Sequence, residues 1–176
     1  MAPPHLGVRD FEEHDLVRVA EIKIRNWSDT YAPFLPDDVL EPFLDHASQI
    51  DYMRAAAAAP GTVLLVAEDS VKGVIGFALT YLDRPPEPWL ESLHVLADCR
   101  GMGAGTLLMR ETARRIAQRG FSTMRLGVVE GNSKAEVFYE RLGGISEGFE
   151  PADWAPGVRH HIYRWPDVTV LTGGLQ

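Results

Sequence analysis

Apolar and polar positions fall along this chain in runs that switch between strand and helix periodicity. Leu6-Gly7-Val8-Arg9 suits a short strand, and Asp10-x-x-Glu13 or a nearby variant can cap the helix that follows. Leu16, Val19/Ala20, Lys23/Ile24 and Trp27 recur on one helix face up to about Ser28, and Tyr31-Ala32-Pro33-Phe34-Leu35-Pro36 breaks it. Pro36-Asp37-Asp38 opens a second helix carrying Val39, Leu40, Phe43 and Leu44; Gln49 to Ala59 continues helical until Pro60-Gly61. Thr62–Glu68 and Val74–Leu82 form a hairpin turning at Asp69–Gly73. After a proline-rich connector, Leu90–Leu96 is a strand. Gly105, Leu108/Met109, Thr112/Ala113 and Ile116/Ala117 then lie on one stripe of a helix ended by Gly120. Thr123–Val129 alternates as a strand. Asn132–Leu142 is a helix with Asn132 as its cap, Gly143 as its stop, and Ala135, Phe138, Tyr139 and Leu142 on one stripe. Gly144–Phe149 and Arg159–Trp165 close as a hairpin around a long loop holding Trp154, and Thr169–Gln176 looks like a loose tail. The order β-αα-β-β-β-α-β-α-β-β predicts an α+β layered fold, one domain over 1–166 with a C-terminal tail at 167–176.

Composition narrows the function classes. A length of 176 residues gives one proper core and would cramp two. The net charge of −8 argues against a general nucleic-acid binder, which would be basic, and is compatible with a cationic amine substrate. Cys99 is the single cysteine, so no internal disulfide forms and a reducing compartment is expected. No His, Asn and Asp set brackets Cys99, which favours an inert thiol. No apolar run approaches ~18 residues and the start lacks a signal-like segment, so the expectation is a cytoplasmic protein without a membrane partner. A homodimer stays open.

Candidate chemistry concentrates where the Leu90–Leu96 strand runs into a glycine loop and a helix. The first N–H groups of a helix have no internal partner, and the helix dipole adds positive potential there, so such a loop cradles anions. Three loop patterns compete. A Walker loop needs a lysine after Gly105, and none follows. A dinucleotide loop would have a third glycine where Thr106 stands. The pattern R/Q-x-x-G-x-G/A is met in full by Arg100-Gly101-Met102-Gly103-Ala104-Gly105.

That loop resembles the acyl-CoA pyrophosphate loop of the GNAT N-acetyltransferase superfamily. Asn132-Ser133-Lys134-Ala135-Glu136-Val137-Phe138-Tyr139-Glu140-Arg141-Leu142-Gly143-Gly144 is similar to its N-x-x-A-x-x-x-Y-x-x-x-G-F segment, with Gly144 in place of the aromatic. More loosely, Trp27 to Pro36 resembles the W-x-x-x-Y-x-x-x-L-P wall of the acceptor site in bacterial small-molecule members. The resemblance implies acetyl-CoA as co-substrate, a small-molecule primary amine as acceptor, and direct transfer; a protein amine as acceptor, or a non-catalytic coenzyme sensor, are the alternatives. It implies coenzyme contacts from Leu93, His94 and Val95, from Arg100, Gly101, Met102, Gly103, Ala104, Gly105 and Thr106, and from Asn132. Tyr139 would protonate the leaving thiolate, and Trp27, Tyr31 and Glu91 would meet the acceptor. Family members often place a base where this chain has Trp89; Glu91, two residues on, shares that face by strand periodicity. His94, with an ordinary pKa suited to neutral pH, is the alternative base and is expected on the opposite face with Ser92. His160 and His161 are adjacent in a strand and point apart, so no shared metal is expected.

Overall fold

A computed structural model describes residues 5–173. Seven strands form one sheet in the order β1-β2-β3-β4-β5-β7-β6. They are β1 (Leu6–Asp10), β2 (Thr62–Asp69), β3 (Gly73–Tyr81), β4 (Trp89–Val95), β5 (Met124–Val129), β6 (Ile145–Pro151) and β7 (Arg159–Trp165). All neighbours are antiparallel except β4 and β5. That parallel pair touches only at Trp89↔Arg125 and Leu90↔Leu126, and the strands then part. This is the expected α+β class and element order.

The helices are α1 (Leu16–Asn26), α2 (Asp37–Leu40), α3 (His46–Ala58), α4 (Ala104–Gln118), α5 (Ser133–Arg141) and α6 (Thr169–Thr172). β2 and β3 are buried almost end to end, so both sheet faces are covered. α1 and α3 pack on each other and on β2–β4, while α4 runs over β1–β4. Leu65, Ile75, Phe77, Leu79, Leu108, Met109 and Ile116 meet between these layers with no exposed surface. Burying a side chain of that size contributes about 1.5–3 kcal/mol each.

The cap ahead of α1 is the nearby variant Glu12-x-x-Asp15, in which the Asp15 carboxylate accepts the Glu12 N–H at 2.8 Å and is gripped by Arg9 at 2.8 and 3.0 Å. Three local features differ from the sequence expectations. α1 does not break at Tyr31 through proline alone; it widens into a π-helical turn over Trp27–Tyr31, which rotates both rings inward. The expected loose tail begins as α6, with Val168 and Leu171 buried beside α4, because both are apolar and spaced to meet one surface; 174–176 lie outside the described residues. β4 carries a bulge: Leu79 pairs Ser92 and Thr80 pairs Leu90, so Glu91 is an extra residue. A bulge breaks period-two alternation, and this one decides the site.

Candidate active site

Two cavities meet beneath the gap between β4 and β5. The first, about 520 Å³, is lined by Leu93, His94, Val95, Arg100, Gly101, Gly103–Thr106, Gly127–Val129, Asn132, Phe138 and Tyr139, with Asn26, Thr30 and Tyr31 closing one side. Met102, expected among the coenzyme contacts, instead turns its side chain out to solvent and does not line the cavity. Beyond Leu90 and Leu126 no strand fills the gap, so alternate backbone groups of β4 face the cavity instead of a ladder partner.

The loop before α4 makes a tight glycine turn. Gly101 and Gly103 adopt φ of +82° and +90°, and a Cβ at either would meet nothing within 4 Å. The first helical bond of α4 runs from the Leu107 N–H to the Gly103 carbonyl at 3.0 Å, which leaves the earlier N–H groups open. Gly105 has another reason. A Cβ there would lie 3.1 Å from Phe138 Cζ, so this glycine lets α4 approach α5. Arg100 donates to the Val95 carbonyl at 3.3 Å and to Thr30 Oγ1 at 3.2 Å. These open N–H groups, the side-chain-free approach and the volume fit a pyrophosphate-bearing coenzyme. Cys99 is buried beside the loop, and burial raises its thiol pKa, as an inert cysteine requires.

Tyr139 hangs from α5 into the same cavity. Asn132 Oδ1 caps that helix by accepting the Ala135 N–H at 3.4 Å. Phe138 and Trp165 set their rings edge-on to the Tyr139 ring. No described residue hydrogen-bonds the Tyr139 hydroxyl, and burial raises its pKa, so the phenol stays protonated at neutral pH.

The second cavity, about 190 Å³, shares Tyr31, His94, Gly127 and Val129 with the first. Trp27 stacks on Phe43 at 4.0 Å and meets Trp154 edge-on at 5.3 Å, giving it an aromatic floor. Trp89, Glu91, Ser92 and His94 all line it. Opposite faces were expected for Glu91 and His94; the bulge at Glu91 brings both to one cavity. Glu91 Oε2 accepts from Trp89 Nε1 at 2.8 Å and from Arg84 at 3.1 Å, and Oε1 has no partner among the described residues. Arg84 also reaches Asp153 at 3.0 Å and stacks on Trp89.

His94 departs from its expected chemistry. It is 5% exposed. Burial first, then the charges of Lys23 and Arg100, push its pKa down to about 3. Asn26 Nδ2 donates to His94 Nδ1 at 3.2 Å and to the Val95 carbonyl at 3.1 Å, so the neutral ring carries its proton on Nε2. His160 accepts from Trp154 Nε1 at 3.2 Å, whereas His161 contacts Ser146 and Glu136 at 2.6 and 2.7 Å, on the other face of β7.

The sequence reading missed Lys23, Asn26, Phe43, Tyr52, Arg84, Trp154 and His160 as wall residues. Only Lys23 announced itself, as a lysine on an otherwise apolar helix stripe; the rest join the site through loop closure and strand order.

A model of the Acetyltransferase (GNAT) family matches residues 21–144, and the chain belongs to that family. It is an N-acetyltransferase of that family. It is similar to the uncharacterized N-acetyltransferase YuaI of Bacillus subtilis (strain 168), with 27% identity over 173 residues covering 93% of this chain and 95% of the relative. It is also similar to the thialysine N-epsilon-acetyltransferase of Mus musculus, 32% identical over 74 residues, 40% of this chain and 44% of that one. Among solved structures, the paia N-acetyltransferase of Thermoplasma acidophilum in complex with coenzyme A shares the fold. Its TM-score is 0.70 at 20% identity, covering 91% of this chain and 98% of that one. No helix among the described residues is long and apolar enough to cross a membrane.

Proposed function

We propose that the acceptor is the primary amine of a small molecule and that the acetyl group passes to it directly, in a ternary complex. The observation that carries this reading is the junction of the two cavities at Tyr31, His94, Gly127 and Val129. The larger cavity suits the coenzyme arm, and the smaller, aromatic-floored one suits an amine-bearing molecule. Its modest size favours a small molecule over a folded protein surface.

Leu93, His94 and Val95 would hold the pantetheine arm along the open edge of β4. The Arg100–Thr106 loop would take the pyrophosphate, and Asn132 would touch the arm. Glu91 accepts the proton of the ammonium, directly or through water, and its unpartnered Oε1 suits that task. The neutral nitrogen attacks the thioester carbonyl carbon, with a β4 N–H near Val95 stabilising the oxyanion. The C–N bond forms, the C–S bond breaks, and Tyr139 gives its phenolic proton to the sulfur. Glu91 and the nitrogen each release a proton to solvent, and Tyr139 regains one. An ammonium and a thioester thus become an amide, a thiol and one proton. Trp27 and Tyr31 flank the acceptor.

Following free-thiol release from acetyl-CoA across polyamines, aminoglycosides, amino acids and peptides tests this. Intersecting initial-velocity lines with a small amine are expected. Turnover confined to peptides, or parallel lines, would overturn the acceptor class or the direct transfer.

A further inference from the structure

Lys23 is a charged wall residue of the acceptor cavity that the catalytic steps leave unused. It is 4% exposed, yet it lines that cavity. Its ammonium makes no hydrogen bond or ion pair with any described residue. It lies 3.8 Å from the Tyr52 ring centroid and 5.9 Å from that of Phe43. Aromatic faces offset only part of the cost of desolvating a cation. The other cation of the cavity, Arg84, is already neutralised by Glu91 and Asp153. The carboxamide oxygen of Gln49, Oε1, is also buried there without a partner, as is Trp27 Nε1. This end of the cavity therefore holds a positive charge with no hydrogen-bonded counter-ion, eased only from a distance by Glu91, among unmet polar groups.

Position fixes the polarity of a ligand. Lys23, Gln49 and Tyr52 line only the acceptor cavity, while Tyr31 and His94 line both. An anionic group belongs at the Lys23 end and the reacting amine at the Tyr31–His94 end, with an apolar body on the Trp27–Phe43–Trp154 floor. We propose that the acceptor is an amino carboxylate whose carboxylate is held by the Lys23 ammonium. This rests on the small-molecule reading and narrows it. A carboxylate would give the Lys23 ammonium a direct counter-ion, and the cavity, in which Lys23 and Arg84 equal Glu91 and Asp153 in charge, would match a zwitterion of no net charge. In keeping with this, burial pulls the Lys23 pKa down to about 8, so the ammonium is still charged at neutral pH.

The test compares amino acids with their decarboxylated counterparts: L-phenylalanine with phenethylamine, L-leucine with isoamylamine, and L-methionine with 3-(methylthio)propylamine. Wild type and Lys23→Met are measured by thiol release and by calorimetric titration with CoA present. Met keeps the length and apolar contacts. Wild type is expected to favour at least one carboxylated partner by about 10-fold or more in binding. Lys23→Met should abolish that preference while sparing the decarboxylated partner and acetyl-CoA affinity, with no fall in melting temperature. An equal loss for both partners, or an unchanged preference, would overturn the proposal, as would decarboxylated amines binding better throughout. Lys23-dependent carboxylate binding without turnover of any amine would keep this inference and remove the acetyl-transfer reading.

Discussion

At the scale of single residues, Tyr139 separates chemistry from packing most cleanly. Its ring is wedged by Phe138 and Trp165, and its hydroxyl is left for the cavity. Tyr139→Phe removes only the oxygen, so kcat is expected to fall about 10- to 10³-fold with acetyl-CoA affinity and melting temperature little changed. Steady-state kinetics beside a melting curve checks this; a wild-type rate would leave Tyr139 as a core residue. The base divides in the same way. Glu91→Gln is expected to lower turnover at neutral pH by about 10²-fold. His94, with its pKa near 3, stays neutral across the working range, so His94→Gln should leave the acid limb of the kcat/KM profile where it was. A limb that moves with His94 and not with Glu91 would reverse the assignment. Tyr139 and Asn132 were legible in the sequence because a cap and an apolar stripe fix their positions. The chemistry of His94 was not, because its pKa is set first by burial and then by Lys23 and Arg100, and its tautomer by Asn26, and the packing of α1 against β4 brings Lys23 and Asn26 to it from far along the chain.

At the scale of elements, the α4 N-terminus is where local sequence fixes most. Arg100 to Gly105 specified the turn, and the positive φ of Gly101 and Gly103 bears it out. Gly103→Val is expected to weaken CoA binding at least about 10-fold, because the new side chain stands in the anion cradle. Its backbone strain, of order 1–3 kcal/mol, needs a control. Gly120, just past the other end of α4, has φ +87° and equally open space. Gly120→Val should lose similar stability and keep CoA affinity, as read by paired calorimetry and melting curves. Equal loss of affinity in both variants would trace the effect to helix strain alone. The β4 bulge shows where periodicity stops being informative. The one extra residue against β3 is a property of pairing between strands, and neither strand carries a mark of it. The α6 turn was missed for a related reason: four residues are too few to show a helical period, and burial against α4 holds them.

At the scale of the whole molecule, the sheet splays between β4 and β5, two cavities meet there, and a buried cation is fixed at the far end of one. The cation's isolation depends on α1, α3 and β4 converging, which no single stretch of the chain shows. Keeping an unmatched ammonium there lowers the stability of the fold, and the loss has a pH signature. Lys23 is pulled from 10.5 to about 8, by burial chiefly and against the pull of Glu91. Between those two values the unfolded chain holds a proton on Lys23 that the folded chain has lost. Stability therefore rises with pH across that window, and below about pH 8 the full cost of the buried charge is present. Its size is of order 3 kcal/mol. Other groups titrate there too, but Tyr31, Tyr52 and Tyr81 are raised by burial, and what remains cancels when two variants are compared. Lys23→Met should thus be more stable than wild type at pH 7, with the advantage shrinking as pH climbs from about 8 to 10.5. Urea midpoints measured through that range decide it. Parallel curves would mean that the Lys23 ammonium is solvated or paired in solution, and the acceptor cavity would then hold no standing positive charge for a carboxylate to meet.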